Sequence, residues 1–175
     1  RINLLKGDQN KQDFLKVNPK GRVPALQSPD GYLTETPAIL TYIAQIFPEK
    51  HLVPSEPFEL ALAQSFNMFI SSTVHVAHSH KHRGARWADE KNVQASMTKK
   101  VKENMFECAI IIEKNYLKGP WLSGQKFSVC DTYLALVTRW LPNDGVSLDN
   151  FPKLNAHDKL MRSRSCVQKV LTIYK

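Results

Sequence analysis

The pattern of apolar positions changes character near residue 48. Before it, short alternating runs surround one helical stretch; after it, every clear period is three or four. Ile2-Asn3-Leu4 alternates like a strand, and residues 8–17 predict one short helix with Phe14 and Leu15 turned inward. Val23-Pro24-Ala25-Leu26 and Tyr32-Leu33-Thr34 flank Ser28-Pro29-Asp30-Gly31, a strong turn signal that predicts an antiparallel hairpin. Thr36 is placed to cap a helix whose first position is Pro37, where a missing N–H costs nothing. Ile39, Ile43 and Ile46 follow at helical spacing until Pro48 ends the run.

Residues 48–57 hold Pro48, Pro54 and Pro57 and read as a linker. Beyond it the spacing predicts a helix bundle. A first helix covers 58–82, with Leu62, Phe66, Phe69 and Thr73 on one stripe. Asp89 is expected to cap a second, whose inward positions Val93, Met97, Val101, Met105, Cys108, Ile112 and Tyr116 step by four or three until Gly119-Pro120 stops it. Ser128-Val129-Cys130-Asp131 has the spacing for reciprocal capping of a third, which Trp140 and Leu141 close before Pro142. Two short helices over 153–162 and 165–174 finish the chain. The expected organisation is an α/β domain at 1–47, the linker at 48–57 and an all-helical domain at 58–175.

Composition narrows the function classes. Hydrophobic residues make 42% and charged residues 23%, the balance of a folded globular chain. The longest apolar runs, such as Ala109-Ile110-Ile111-Ile112, are too short to cross a bilayer, and residues 1–6 do not open as a signal peptide. The net charge is +8, but its 24 Lys and Arg are spread without a basic block interleaved with aromatics, so nucleic acid is not an expected partner and neither is a membrane. Cys108, Cys130 and Cys166 are odd in number and widely spaced, which points to buried structural thiols in a reducing, cytoplasmic setting.

Three segments in order carry a family resemblance. Asn18-Pro19-Lys20-Gly21-Arg22-Val23-Pro24-Ala25-Leu26, then Leu33-Thr34-Glu35-Thr36-Pro37-Ala38-Ile39, then Phe127-Ser128-Val129-Cys130-Asp131-Thr132-Tyr133-Leu134, resemble the glutathione S-transferases over essentially the whole chain. Bacterial, beta-like members are the nearest match, because Ser71-Ser72-Thr73-Val74-His75 looks like the segment that brings a histidine into their active site.

The resemblance implies a thioredoxin-like N-terminal domain, incomplete here, followed by an all-helical domain. It implies a cis peptide before Pro24, with the Val23 backbone pairing the glutathione peptide like an added strand. Glu35 would take the γ-glutamyl ammonium, Thr36 and the helix start the γ-glutamyl carboxylate, and Lys6 the glycyl end. Glutathione enters as co-substrate, with no separate cofactor; the partners are a small electrophile and a second copy in a homodimer, and the implied role is detoxification. The alternative is a GST-like binding or assembly module without catalysis. In the family a strand, a loop with the catalytic Tyr, Ser or Cys, and a helix open the domain. Residues 1–4 match its second strand, so those opening elements, about 25–30 residues, are expected to precede Arg1, and the catalytic residue is unknown.

His75, His78, His80 and His82 crowd one stretch, with His75, His78 and His82 sharing a helical face. Three imidazoles suit a transition metal, but no carboxylate or cysteine lies within the stretch, and no metal is expected. By the resemblance His75 is the candidate catalytic residue, lining an electrophile pocket with Ser72 as hydrogen-bond donor or base. Val76 stands where beta-like members often carry a lysine.

Overall fold

Ser28 and Gly31 face each other across Pro29-Asp30, and this tight turn sets the hairpin in the computed structural model, which describes residues 2–173. Arg1, Tyr174 and Lys175 lie outside the described residues, as do the expectations that fall on them. Strands β1 (Ala25–Ser28) and β2 (Gly31–Thr34) are antiparallel, running from Ala25 opposite Thr34 to Ser28 opposite Gly31. The Ser28 hydroxyl accepts from Asp30 N–H at 3.2 Å and donates to Gly31 C=O at 3.1 Å, and Gly31 takes a φ of 133° that a side chain would resist.

Two compact units divide the chain, Arg1–His51 and Leu52–Lys175. In the first, the strand expected at Ile2–Leu4 is absent and a 3-10 turn, Leu4–Lys6, takes its place. Asn3 explains the difference. Its side-chain oxygen accepts from Leu5 and Lys6 N–H, its own N–H donates to Asp8, and Gly7 closes the turn in the left-handed region. Lys11 and the Asn3 amide together hold the Asp8 carboxyl below its ordinary pKa. The helix expected over 8–17 is also divided. A 3-10 turn, Asp8–Asn10, yields at extended Lys11 to α1 (Gln12–Val17), on which Phe14 and Leu15 are half-buried. After the hairpin comes α2 (Thr36–Ile46), burying Pro37, Ile39 and Ala44. Its N-cap is Glu35, one residue earlier than the expected Thr36.

In the second unit α3 (Pro57–Phe69) runs through a π turn, Ile70–Val74, into α4 (His75–Arg83). The buried face departs from the expected stripe on both sides of this π turn. Ala63, Phe66, Asn67, Ile70, Val74 and Ala77 are buried, whereas Leu62 and Thr73 of the expected stripe are exposed. Helix α5 (Lys91–Ile111) starts after Glu90 instead of Asp89, and its first turns are open, with Val93 38% exposed. From Val101 the expected stripe holds: Met105, Cys108 and Ile112 are buried, and a second π turn, Ile112–Tyr116, ends the helix before Gly119-Pro120. Helices α6 (Val129–Trp140), α7 (Pro152–Ser163) and α8 (Ser165–Ile173) follow.

The core of this unit gathers on Asp131, whose side chain is fully buried. Its carboxylate accepts from Ser128 N–H at 2.7 Å and Leu122 N–H at 2.9 Å, and His157 Nε2 lies 3.1 Å away. The reciprocal capping box read from the sequence is present. A carboxylate accepts only, so His157 donates from Nε2. Gly119 serves the same loop by close approach, since a Cβ there would meet Gly124 O at 2.7 Å.

Asp131→Ala should lower the unfolding free energy by about 3 kcal/mol or more, because four buried donors, the Ser128 hydroxyl included, lose their acceptor at once. Chemical denaturation midpoints check this, and a loss below about 1 kcal/mol would show that the donors find other partners.

Candidate functional site

In the N-terminal unit, the loop before β1 is built around Asn18, which is buried to 1%. Its amide donates to Arg22 C=O at 2.6 Å, its side-chain oxygen accepts from Lys20 N–H, and its backbone carbonyl accepts from Gly21 N–H. Gly21 adopts a φ of 59°, and a Cβ there would come within 3.1 Å of Asn10 Oδ1. This loop delivers Val23-Pro24, whose peptide bond is cis as the resemblance implied. Val23 is 43% exposed and stands outside the β1–β2 ladder, which begins at Ala25.

The hairpin register does the assembling. Ala25 pairs with Thr34, so Val23-Pro24 leads directly into β1 and Glu35-Thr36 leads directly out of β2. A two-residue turn thus brings the two motifs to the same end of the hairpin. Glu35 has φ 73° and ψ 122°, an uncommon conformation for a residue with a side chain. Its Oε1 accepts from Lys20 Nζ at 2.5 Å, and the same ammonium reaches Thr34 Oγ1 at 2.7 Å. Thr36 is the half-buried first residue of α2. The first helical hydrogen bond runs from Ile39 N–H to Glu35 C=O at 3.0 Å, which leaves the Thr36 and Ala38 amides ahead of the helical ladder. An exposed carboxylate beside a helix N-terminus can receive an ammonium and a carboxylate held close together. Lys6 ends the Leu4–Lys6 turn, exposed, and is not part of the Lys20–Thr34–Glu35 set.

Asn18 and Lys20 carry roles that the sequence pattern did not assign to them. No sequence signal pointed to Lys20, because its contact with Glu35 spans 15 residues. For Asn18 there was none, since an asparagine before Pro reads as a loop whether or not its amide is buried.

In the helical unit, Ser72 is exposed on the first π turn and donates to Met68 C=O at 2.8 Å. His75 opens α4, half-buried, with its ring centroid 5.1 Å from that of Trp140. The rest of the histidine cluster is dispersed. His78 turns to Asp144 at 2.6 Å, and His80 meets the Trp87 ring edge-on at 4.5 Å. Among the described residues no group of three or more His, Cys, Asp or Glu is arranged to hold a metal.

The thiols differ from expectation at one position. Cys108 and Cys130 are buried, but Cys166, on the outer face of α8, is exposed. Burial raises both buried thiols, and Cys130 goes from 9.0 to about 11. Neither is a thiolate at neutral pH, so neither is a nucleophile. Below pH 9 folded and unfolded chains both keep the Cys130 proton; between 9 and 11 only the folded chain does, so this thiol's contribution to stability is lost as pH rises through that window. The difference in denaturation midpoint between the wild type and Cys130→Ala should therefore narrow from pH 9 to 11. A difference constant with pH would show that the two states titrate alike.

Known proteins resemble this chain. The profile of the glutathione S-transferase N-terminal domain matches residues 1–45. Glutathione S-transferase GstA of Escherichia coli is 29% identical over 167 residues, 94% of this chain and 79% of that protein. A glutathione transferase homologue from Sulfitobacter, solved with bound glutathione, is 42% identical with a TM-score of 0.96, over 98% of this chain and 83% of that one. The bacterial beta-class glutathione S-transferase of Sphingomonas chungbukensis is 29% identical with a TM-score of 0.77, over 94% and 79% of the two chains.

Proposed function

The chain belongs to the glutathione S-transferase family, and from that premise we propose that it is a glutathione transferase, adding or exchanging the glutathione thiolate on small electrophiles or mixed disulfides. The observation that carries the reading is that cis Val23-Pro24 and the Glu35-Thr36 start of α2 flank the same Ala25–Thr34 end of the hairpin. The glutathione-binding domain is 1–47, the linker 48–57 and the helical domain 58–175.

In this reading the Val23 N–H and C=O pair with the glutathione backbone as an extra strand would, and Pro24 holds that edge open. Thr36, through its hydroxyl and its leading amide, takes the γ-glutamyl carboxylate, where the helix dipole favours an anion. Glu35 takes the γ-glutamyl ammonium. Its present contact with Lys20 supports this, because it is a cation–carboxylate contact of the same kind on an exposed pair. Lys6 pairs with the glycyl carboxylate. Held in this way, the thiolate attacks an electrophilic carbon, the S–C bond forms, and the leaving group departs with its electron pair. With a mixed disulfide, the thiolate attacks one sulfur and the other leaves as thiolate. His75 is the hydrogen-bond donor or base toward the electrophile, with Ser72 beside it on the preceding π turn.

A second copy is the partner we assign to α3, which exposes Phe58 at 72%, Leu62 at 39% and Met68 at 48%. A cytoplasmic location fits three free thiols and the finding that no helix among the described residues is long and apolar enough to cross a membrane.

The test is retention of the full-length protein on immobilised glutathione, together with turnover of an aryl halide. Glu35→Gln and Thr36→Val should each raise KM for glutathione about tenfold, the effect of removing one charge-assisted hydrogen bond, while unfolding free energies stay within about 1 kcal/mol of wild type. Wild-type protein that folds but neither binds the resin nor turns over substrate would overturn the assignment and favour a binding module.

A further inference from the structure

A chain of side chains in the helical unit ends on His75 and starts from a carboxylate that the proposed reaction does not use. Asp144 follows α6, and its side chain is fully buried. Its backbone N–H donates to the Trp140 and Leu141 carbonyls at 3.0 and 3.1 Å, which fixes the turn that carries it. Oδ2 lies 2.6 Å from His78 Nδ1, and the Lys81 ammonium stands 3.4 Å from Oδ1. A carboxylate accepts only, so the imidazole donates from Nδ1 and keeps Nε2 at the opposite edge of its ring.

The His78 ring lies flat on Trp140, with centroids 4.3 Å apart and planes inclined by only 4°. His75, three residues earlier on the same face of α4, meets the same indole at 5.1 Å and 37°. Trp140 is the last residue of α6 and Asp144 lies four residues beyond it, so one end of one segment supplies both the carboxylate and the indole. Burying a carboxylate is costly, and apolar groups would pack this corner as well. What the hydrogen bond adds is direction, because the His78 ring cannot turn about its own axis without losing the bond to Asp144.

We infer that Asp144 and His78 are positioning residues for His75. Asp144 fixes the plane of the His78 ring, that ring holds Trp140 from its stacked side, and Trp140 sets the orientation of the His75 imidazole. The inference rests on the reading of His75 as the group that faces the electrophile.

A double-mutant cycle in the full-length protein, with glutathione and an aryl halide, tests it. His78→Ala should lower kcat about tenfold with KM for glutathione unchanged, yet change kcat less than about twofold when His75→Ala is already present. Asp144→Asn keeps an oxygen that accepts from Nδ1, so it should stay within about threefold of wild type and guards against a variant that merely fails to fold. Equal losses with and without His75, or no loss at all, would overturn the proposal. Nitrogen-15 spectra of the imidazoles give a readout independent of turnover. The His75 ring signals should move in His78→Ala, and unmoved signals would refute positioning. If the wild type has no transferase turnover but the His75 signals still respond to His78, the positioning stands and the assigned function fails.

Discussion

The helical unit is organised by the acceptor capacity of one buried carboxylate. Asp131 closes the N-terminus of α6, takes the Leu122 amide from the loop before it, and meets His157 from α7. Each of those groups would be left unpaired in an apolar interior, which costs more than a hydrogen bond returns. The apolar layers of Val101, Met105, Ile112, Leu134 and Leu154 therefore close around a fixed polar centre. The same use of one carboxylate for several donors recurs at the other end of α6. There Asp144 ties the chain after Trp140 to α4 through His78 and Lys81.

Much of this could be read from the chain because it rests on local rules. The turn at Ser28–Gly31, the stop at Pro48 and the Ser128–Asp131 box each depend on residues a few positions apart. Those features emerged as expected. The readings that failed depended on longer or subtler terms. Ile2–Leu4 alternates like a strand, but Asn3 and Asp8 satisfy its backbone within the segment, and a side-chain bond overrides a weak period. The stripe on α3 was drawn at a constant pitch, and one π turn at Ile70–Val74 moved the buried face from Thr73 to Val74. Cys166 looked buried by composition alone, yet α8 turns it outward.

The candidate site divides along the same line. Val23, Pro24, Glu35 and Thr36 were named because their two motifs resemble those of the glutathione S-transferases, and the hairpin joins one motif to the other. The partners that tune them were not visible. Lys20 reaches Glu35 across 15 residues, and Asp144 reaches His78 across 66, separations at which no sequence period operates. The family likeness supplied the ligand, and the geometry supplied the reason why these residues suit it. An exposed Val23, a helix start and a carboxylate lie at one end of the hairpin, and in the proposed reading they take the peptide, the carboxylate and the ammonium of the γ-glutamyl end.

The central claim is that glutathione is bound by the edge at Val23 and the start of α2. The most direct measurement is a titration of the full-length protein with glutathione, followed by the amide proton and nitrogen shifts. The account predicts saturable shifts at the Val23 and Thr36 amides, with the buried α7 amides Leu154 and Met161 unmoved. A titration that leaves Val23 and Thr36 in place would contradict it.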